Sequence, residues 1–273
     1  MRKLIIGLLV LAGLVVVADF GVAAYTEYRV SRTLRDGADL SADPEVTIHG
    51  FPFFAQALDG RFETVDIRAS AKRPDLPGEI ALEATLTGVH MEVGDLSDGR
   101  VRNIPVERVA TRMRIEPTEL GRLFGIPDLQ VHSRPADKSD GTGGSGGSGM
   151  TTAGALVLTG TLPEQTGGTA APFGDGESEK VSVMADLLLD GDEVRIVATG
   201  MYKGTLADAT PTAVVPEAER PAVLERFTRT IDTEELPFGV RPTEAFALGG
   251  QIVVEGRGEN VTIDLDRLGI GRR

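Results

Sequence analysis

The sequence predicts an α+β fold in which a long, curved antiparallel sheet wraps around helices, preceded by a hydrophobic helix at the N-terminus. Three observations lead to this prediction. The chain opens with an uncharged apolar run at residues 4–18, several later segments alternate strictly between apolar and polar residues, and each half of the chain holds a short amphipathic segment with helical spacing. Strict alternation is typical of half-buried strands, and helices set apart from antiparallel strands define the α+β class.

The N-terminus predicts either a secretory signal or a membrane anchor. A basic start is followed by the apolar run, which Asp19 interrupts, and small residues follow up to Ala24. This order of features is typical of a signal peptide cleaved after Ala24. Residues 4–24 are also long enough to cross about 30 Å of hydrocarbon at about 1.5 Å per residue. Both alternatives predict export to the periplasm or cell envelope.

The next segments predict strands long enough to bend. Phe62–Ala69 alternates, and the same alternation continues through Ile80–Leu86. Beyond Gly88 the apolar residues change to the other parity, and a glycine at such a change predicts a β-bulge. The other elements predicted in this half are a helix at 25–35, a strand at 46–48, a helix at 51–58, a strand at 109–115 and a helix at 118–124.

The second half of the chain predicts further antiparallel strands within the same unit. Residues 134–150 have the Gly/Ser-rich composition of a flexible linker, and we expect a disordered insertion there inside one domain spanning residues 25–273. Asp190-Gly191 predicts a tight hairpin turn. The remaining predicted elements are strands at 155–161, 181–189 and 194–201, a helix at 221–231, and a second hairpin that joins strands at 252–255 and 261–265.

The composition excludes several classes of function. The chain has no cysteine, which excludes disulfides, thiol catalysis and cysteine-ligated metals. The three histidines, at positions 49, 90 and 132, lack the spacing of a helical metal-binding pair. The net charge of −13 and the absence of Trp argue against nucleic acid as a partner. We therefore predict no metal, no cofactor and no nucleic acid. An exported chain without cysteine also favours a bacterial envelope.

Two motif matches in the Gly/Ser tract carry no chemistry. Residues 143–147 match the G-x-S-x-G pattern of hydrolases, and residues 141–146 match the G-x-G-x-x-G pattern of dinucleotide-binding proteins. Neither match follows a strand or opens a helix, as both mechanisms require. We predict no catalytic residue.

The most unusual segment is Phe51-Pro52-Phe53-Phe54, which holds three of the ten phenylalanines in the chain. One interpretation is a plug that closes one end of the sheet. The other is a mouth that admits an apolar ligand. The two interpretations are compatible, because a plug at the end of a groove also shapes the groove.

Residues 50–67, with the pattern G-F-P-F-F-x-Q-x-x-x-G-x-F-x-x-V-x-I, resemble the signature of the LmeA-like phospholipid-binding proteins of actinobacterial envelopes. The apolar N-terminal segment and the helix after it are also similar to that family. Phe54, where Leu is more usual, and the Gly/Ser tract depart from its pattern. The resemblance implies a fold related to the tubular lipid-binding (TULIP) superfamily. It also implies binding of phospholipids, including phosphatidylinositol-type lipids, and a role in lipomannan maturation.

A carrier of such lipids must offer an apolar channel, because an acyl chain that leaves a bilayer for water loses about 0.8 kcal/mol per CH₂. We expect the membrane to be contacted through the N-terminal segment, and Arg61, Arg68 and Arg73 to meet the head group. The residues predicted to bind lipid are Phe51, Phe53, Phe54, Leu58, Val65, Ile67, Leu82, Leu86, Val183, Leu187, Ile196, Ile252 and Ile263.

Three functions remain open from the sequence. The first is a non-enzymatic phospholipid binder of the envelope. The second is an envelope enzyme that processes glycolipids, against which stands the lack of a recognisable catalytic constellation. The third is a structural or adaptor domain with no ligand.

Overall fold

Within the residues that it describes, the computed structural model has four helices and eleven strands. It describes residues 2–38, 40, 42–73, 76–91, 103–133, 154–162, 180–204, 211, 214–233 and 236–264. The predicted Gly/Ser insertion at 134–150 lies outside the described residues. The helices are α1 (Arg2–Ala38), α2 (Phe53–Asp59), α3 (Pro117–Phe124) and α4 (Arg220–Arg226).

The first sheet has six antiparallel strands in the order β1-β2-β3-β4-β11-β10. The three central pairings are long, because β2, β3, β4 and β11 each run for at least thirteen residues. The strands are β1 (Glu45–His49), β2 (Arg61–Arg73), β3 (Leu76–His90), β4 (Asn103–Ile115), β10 (Pro242–Leu248) and β11 (Gln251–Asp264).

The second sheet has five antiparallel strands in the order β5-β6-β7-β8-β9. The β7–β8 hairpin turns at Gly191, where φ is +61°, as the Asp-Gly signal predicted. β10 of the first sheet contacts β5 and β7 of the second. The strands are β5 (Gln130–Ser133), β6 (Ala155–Thr161), β7 (Lys180–Asp190), β8 (Glu193–Met201) and β9 (Arg229–Asp232).

A contiguous cluster of buried apolar side chains draws on both sheets, from Val65 in β2 to Val183 in β7. The predicted α+β class, with antiparallel strands and an apolar N-terminal helix, is confirmed. The strands form two separate sheets, one of six strands and one of five.

Two element predictions are wrong in detail. The second hairpin does not form, because residues 251–264 run on as one strand whose pairing with β4 continues through Gly256 and Gly258. Both glycines are paired with residues of β4, so neither forms a turn. The helix predicted at 221–231 ends at Arg226, and Ile231 lies in β9, paired with Val194. The apolar residues of this segment are therefore divided between a short helix and the strand that follows it.

In the first sheet, the alternation of buried and exposed residues shifts by one residue along a line that crosses the strands. On β2 the buried residues are Phe62 and then Val65, and on β3 they are Leu86 and then Val89. β4 shows the same three-residue step from Val106 to Val109. Between these pairs lie Glu63, Gly88 and Glu107, and the row continues to Asn260 of β11.

The cause of this change lies in the backbone at Gly88 and Asn260, where φ is +63° and +52°. The pairing of β2 with β3 keeps the same register on both sides of Gly88, with Thr64 opposite Thr87 and Phe62 opposite Val89. The parity change predicted at Gly88 is therefore present, but no extra residue is inserted, so it is not a bulge. We call this row the fold line of the sheet.

Candidate apolar cavity

An apolar cavity of about 40 Å³ lies between the second half of α1 and the buried face of the first sheet. Twelve of its thirteen lining side chains are apolar, Thr33 is the exception, and none is ionisable. The lining comprises Val30, Thr33, Leu34, Ile48, Phe62, Val65, Ile67, Leu86, Val89, Met91, Ile104, Phe238 and Ile263.

The fold line places this cavity. Because the buried face changes parity at Gly88, Leu86 and Val89 both line the cavity although they are three residues apart. Phe62 and Val65 do the same on β2. Regular alternation would have turned one member of each pair to the opposite face of the sheet.

Helix α1 forms the wall opposite the sheet and is held there by polar contacts. The Ser31 hydroxyl donates a hydrogen bond to the carbonyl oxygen of Pro44 at 2.6 Å. The Glu27 carboxylate accepts one from the backbone N–H of Ile48 at 2.8 Å. Leu34, on the same side of the helix, is buried in the core. The second half of α1 is therefore packed as part of the globular domain.

Asp19 joins α1 to α2. Its two carboxylate oxygens accept hydrogen bonds from the backbone N–H groups of Phe53 and Phe54, at 2.9 and 2.8 Å, and the residue is 7% exposed. The first N–H groups of a helix have no partner within the helix. Asp19 supplies one from another helix, and its negative charge also suits the positive end of the α2 dipole.

Four apolar side chains near this joint stand exposed to solvent. The Phe20 and Phe51 rings stack with centroids 6.1 Å apart, yet both remain exposed. On α2, Phe54 is 57% exposed and Leu58, one turn later, is 75% exposed. We call these four residues the apolar tip. Phe53, between them in sequence, points inward against Phe62, with ring centroids 5.7 Å apart.

The thirteen residues predicted to bind lipid fall into three groups. Four of them line the cavity: Val65, Ile67, Leu86 and Ile263. Three are exposed in the apolar tip: Phe51, Phe54 and Leu58. The other six are buried in the core but do not line the cavity: Phe53, Leu82, Val183, Leu187, Ile196 and Ile252. Their predicted contact with lipid remains a prediction.

The predicted lining omitted nine of the thirteen lining residues: Val30, Thr33 and Leu34 on α1, together with Ile48, Phe62, Val89, Met91, Ile104 and Phe238. The spacing of Val30, Thr33 and Leu34 at i, i+3 and i+4 marks one helix face and is the signal that could have identified this wall. Phe238 has no such local signal. It lies in a 3₁₀ turn at Pro237–Gly239 with φ of +66°, an unusual conformation for a residue other than glycine.

The predicted head-group arginines all lie on β2. Arg61 pairs with Glu107 at 2.6 Å and Arg68 with Glu45 at 3.6 Å, and all four side chains are exposed. The side chain of Arg73 is outside the described part of the structure. The phosphate contact of these arginines remains a prediction.

On the opposite face of β2 from the cavity, Asp66 links three strands. Its carboxylate accepts hydrogen bonds from Thr85 at 2.7 Å and from His49 at 2.8 Å. Burial by itself raises the pKa of Asp66, but these hydrogen bonds and the charges of His49 and Arg68 outweigh it and hold that pKa below its ordinary value. The carboxylate is thus ionised at neutral pH, where it ties β1, β2 and β3 together.

The described residues contain no group of three or more His, Asp or Glu side chains placed to hold a metal ion. Among them, α1 is long and apolar enough over residues 2–35 to cross a membrane.

A comparison with protein families decides which family this is. The model of the LmeA-like phospholipid-binding family matches residues 17–257. The chain belongs to this family. Neither a curated protein nor a solved structure matches the chain. The family match begins inside α1 and ends within β11, so it takes in Asp19, the second half of α1 and twelve of the thirteen residues that line the cavity; Ile263 lies beyond it.

Proposed function

We propose that this protein binds a phospholipid without catalysing a reaction, and that it holds acyl chain in the space between α1 and the first sheet. The observation that carries the proposal is the cavity: twelve of its thirteen lining residues lie inside the region matched by a phospholipid-binding family, twelve of the thirteen are apolar, and none is ionisable. Such a lining suits hydrocarbon, and it offers no acid or base that could activate a nucleophile such as the Thr33 hydroxyl.

The cavity must widen to accept a chain. Its volume of about 40 Å³ is well below the roughly 300–1,000 Å³ of typical small-molecule sites. The lining strands are tied to their neighbours by continuous backbone hydrogen bonds, whereas α1 and the turn at Phe238 are not part of the sheet. We propose that the face of α1 carrying Val30, Thr33 and Leu34 moves outward, with Phe238, when lipid enters.

We also propose that α1 is an uncleaved anchor and that residues 25–273 are exported as one lipid-binding domain of a bacterial envelope protein. Cleavage after Ala24 would remove Asp19 and leave the N–H groups of Phe53 and Phe54 without their partner. It would also remove residues that belong to the family match, which starts at residue 17. Both observations favour the anchor over the signal peptide.

The identity of the lipid rests on the family alone. On the resemblance of residues 50–67 we propose a phosphatidylinositol-type phospholipid and a contribution to lipoglycan maturation. Arg61, Arg68 and Arg73 are our proposed alternative contacts for its phosphate, since all three lie on β2, whose buried side supplies three of the lining residues. Arg61 and Arg73 lie at opposite ends of the strand, about 40 Å apart at about 3.3 Å per residue, so one phosphate meets only one of these two.

Photocrosslinking tests the site directly. Full-length protein is incubated in vesicles with a phosphatidylinositol that carries a diazirine near the end of one acyl chain, irradiated and digested. We expect crosslinks on β2, β3 and β11 at residues such as Val65, Leu86 and Ile263. Annular lipid around the anchor marks residues 4–17 and serves as an internal control. Crosslinks that mark the anchor but none of the cavity-lining residues would contradict the proposal.

A matched pair of variants sharpens this test. Leu82 and Leu86 are both buried on β3, but only Leu86 lines the cavity. Leu86→Asp places a carboxylate against the acyl chain and should reduce crosslinking of the cavity by about tenfold or more, given the cost of an unpaired charge in an apolar site. Leu86→Ala should reduce it less. Leu82→Ala reports the general effect of a weakened core, and equal labelling in the Leu86 and Leu82 variants would exclude Leu86 from the site.

A further inference from the structure

We propose that the apolar tip (Phe20, Phe51, Phe54 and Leu58) is embedded in the outer leaflet of the bilayer that α1 crosses, so that the domain is held against the membrane surface by α2. This inference rests on the anchoring of α1 proposed above. It does not depend on whether the cavity carries lipid.

The first argument is depth along α1. From Leu4, a helix rising about 1.5 Å per residue covers the roughly 30 Å of a hydrocarbon core by about Ala24. Asp19 and Phe20 therefore lie several ångströms inside the outer boundary. The side chains of residues 2–18 are exposed, and α1 first makes buried contact with the domain at Asp19. The domain thus begins just inside the outer boundary of the hydrocarbon core.

The second argument is the attachment of α2 at that depth. The hydrogen bonds of Asp19 to Phe53 and Phe54 place the start of α2 beside residue 19. The stack of Phe20 on Phe51 makes the apolar surface of α1 continuous with that of α2. An interfacial helix inserts its apolar face by about 5–10 Å, which matches the depth of Phe20.

The third argument is the order of residues above the tip. Tyr25 and Tyr28 are exposed on α1 just beyond the apolar run, and two of the three tyrosines of the chain are therefore found there. Tyrosine is enriched at the level of lipid head groups. Arg32 and Arg35 follow on the aqueous side of the head groups, about 12 and 16 Å beyond the hydrocarbon at about 1.5 Å per residue. Apolar residues, then tyrosine, then arginine is the order expected for a helix leaving a membrane.

The same placement explains Asp19 itself. A carboxylate below the membrane surface is costly unless it is paired. Asp19 is buried, and both of its oxygens accept backbone N–H groups of α2. Its charge is thus compensated within the protein, and the apolar tip around it presents only hydrocarbon and aromatic rings to the lipid.

Tryptophan fluorescence tests the proposal, because the chain has no Trp and one substitution gives a single emitter. Full-length Phe54→Trp is reconstituted into phosphatidylcholine and phosphatidylglycerol vesicles, with and without lipids brominated near the top of the acyl chain. We expect blue-shifted emission that bromine quenches by about twofold or more, as for an aromatic ring at the level of the upper acyl chain. Leu58→Trp provides a second reporter if Phe54→Trp does not fold.

Leu248→Trp is the matched control. Leu248 is also exposed, but it lies at the far end of the first sheet, since it pairs with Gln251 beside Ile115, nine residues along β4 from Val106. At about 3.3 Å per residue this is about 30 Å from the end of the sheet next to α2. We expect solvent-like emission and no quenching by bromine.

Three outcomes would overturn the inference. The first is solvent-like, unquenched emission from both residue 54 and residue 58. The second is a blue shift that bromine does not quench and that depends on protein concentration, which would show that a second copy covers the tip. The third is an intact mass lacking residues 1–24. None of these alters crosslinking of the cavity, so this inference and the lipid-binding proposal fail separately.

Discussion

At the scale of single residues, the structure gives Asp19 a role that the sequence pattern does not indicate. In the sequence it is a charge that interrupts an apolar run. In the structure it is a buried acceptor for two N–H groups, one of them 34 residues away. Its role depends on α2 lying beside α1, which no local pattern around residue 19 encodes.

We predict that Asp19→Ala lowers the free energy of unfolding of the full-length protein by about 1–3 kcal/mol. The change leaves two helix N–H groups without an acceptor, and hydrogen bonds to charged groups contribute about that amount. Thermal or denaturant unfolding in detergent micelles measures the effect. Asp43→Ala removes an exposed carboxylate paired with Arg35 at 3.0 Å and should change stability by no more than about 1 kcal/mol. Equal effects of the two variants would mean that Asp19 does not hold α2.

Alternation in the sequence correctly predicted which side chains of the clear strands are buried. Val65 and Ile67 belong to one alternating segment, and the structure places both at the cavity. Alternation could not distinguish Leu82 from Leu86, although of these two residues only Leu86 lines the cavity. Alternation gives the buried face, whereas the position of a cavity along that face depends on what packs opposite. Here that element is α1.

At the scale of elements, the fold line is what makes the first sheet suitable for a cavity. The sequence showed the parity change at Gly88, because apolar residues before and after it can be counted. The matching changes on β2 and β4 are less visible, since Glu63 and Glu107 are ordinary strand residues with no special backbone preference. They follow from pairing with Gly88 across the sheet.

We predict that Gly88→Ala destabilises the protein by about 1–3 kcal/mol, the usual cost of a left-handed conformation at a residue with a side chain. The added Cβ would also lie 2.5 Å from the Cδ atom of Glu107, which pairs with Arg61. Equilibrium unfolding of the purified protein measures the loss.

Gly200→Ala is the control for this variant. Gly200 lies in β8 without a positive φ, and an added Cβ there meets only the flexible end of Met184 at 3.1 Å. We expect a change of less than about 1 kcal/mol, because alanine in a strand has no conformational penalty of this kind. A Gly88→Ala protein as stable as Gly200→Ala would show that the fold line does not require glycine.

At the scale of the whole molecule, α1 combines two roles that the sequence presents as separate alternatives for the N-terminus. Its first half has the length and composition of a membrane span, and its second half is a wall of the cavity. The sequence predicted the apolar helix and the helix after it. It could not show that the second part covers the sheet, because a helix face with Val30 and Leu34 fits many packing partners.

This combination means that lipid loading and the packing of α1 compete for the same space. We predict that loading with phosphatidylinositol speeds hydrogen exchange of backbone amides in the second half of α1, around residues 27–35, while the sheet strands are unchanged. The reason is that the cavity, with a volume of about 40 Å³, is too small for an acyl chain until Val30 and Leu34, which line it, move outward. Exchange measured by mass spectrometry, on full-length protein in nanodiscs with and without the lipid, tests this.

The amides of Phe53 and Phe54 provide the internal reference for that measurement. They donate to Asp19, which lies eleven residues before Val30, the first residue of α1 that lines the cavity. They should keep their protection if the helix opens only at its C-terminal end. Faster exchange at both places would mean that the whole helix leaves the domain when lipid binds. Slower exchange at residues 27–35 would mean that lipid fills a space α1 does not occupy, which would contradict α1 as the moving wall.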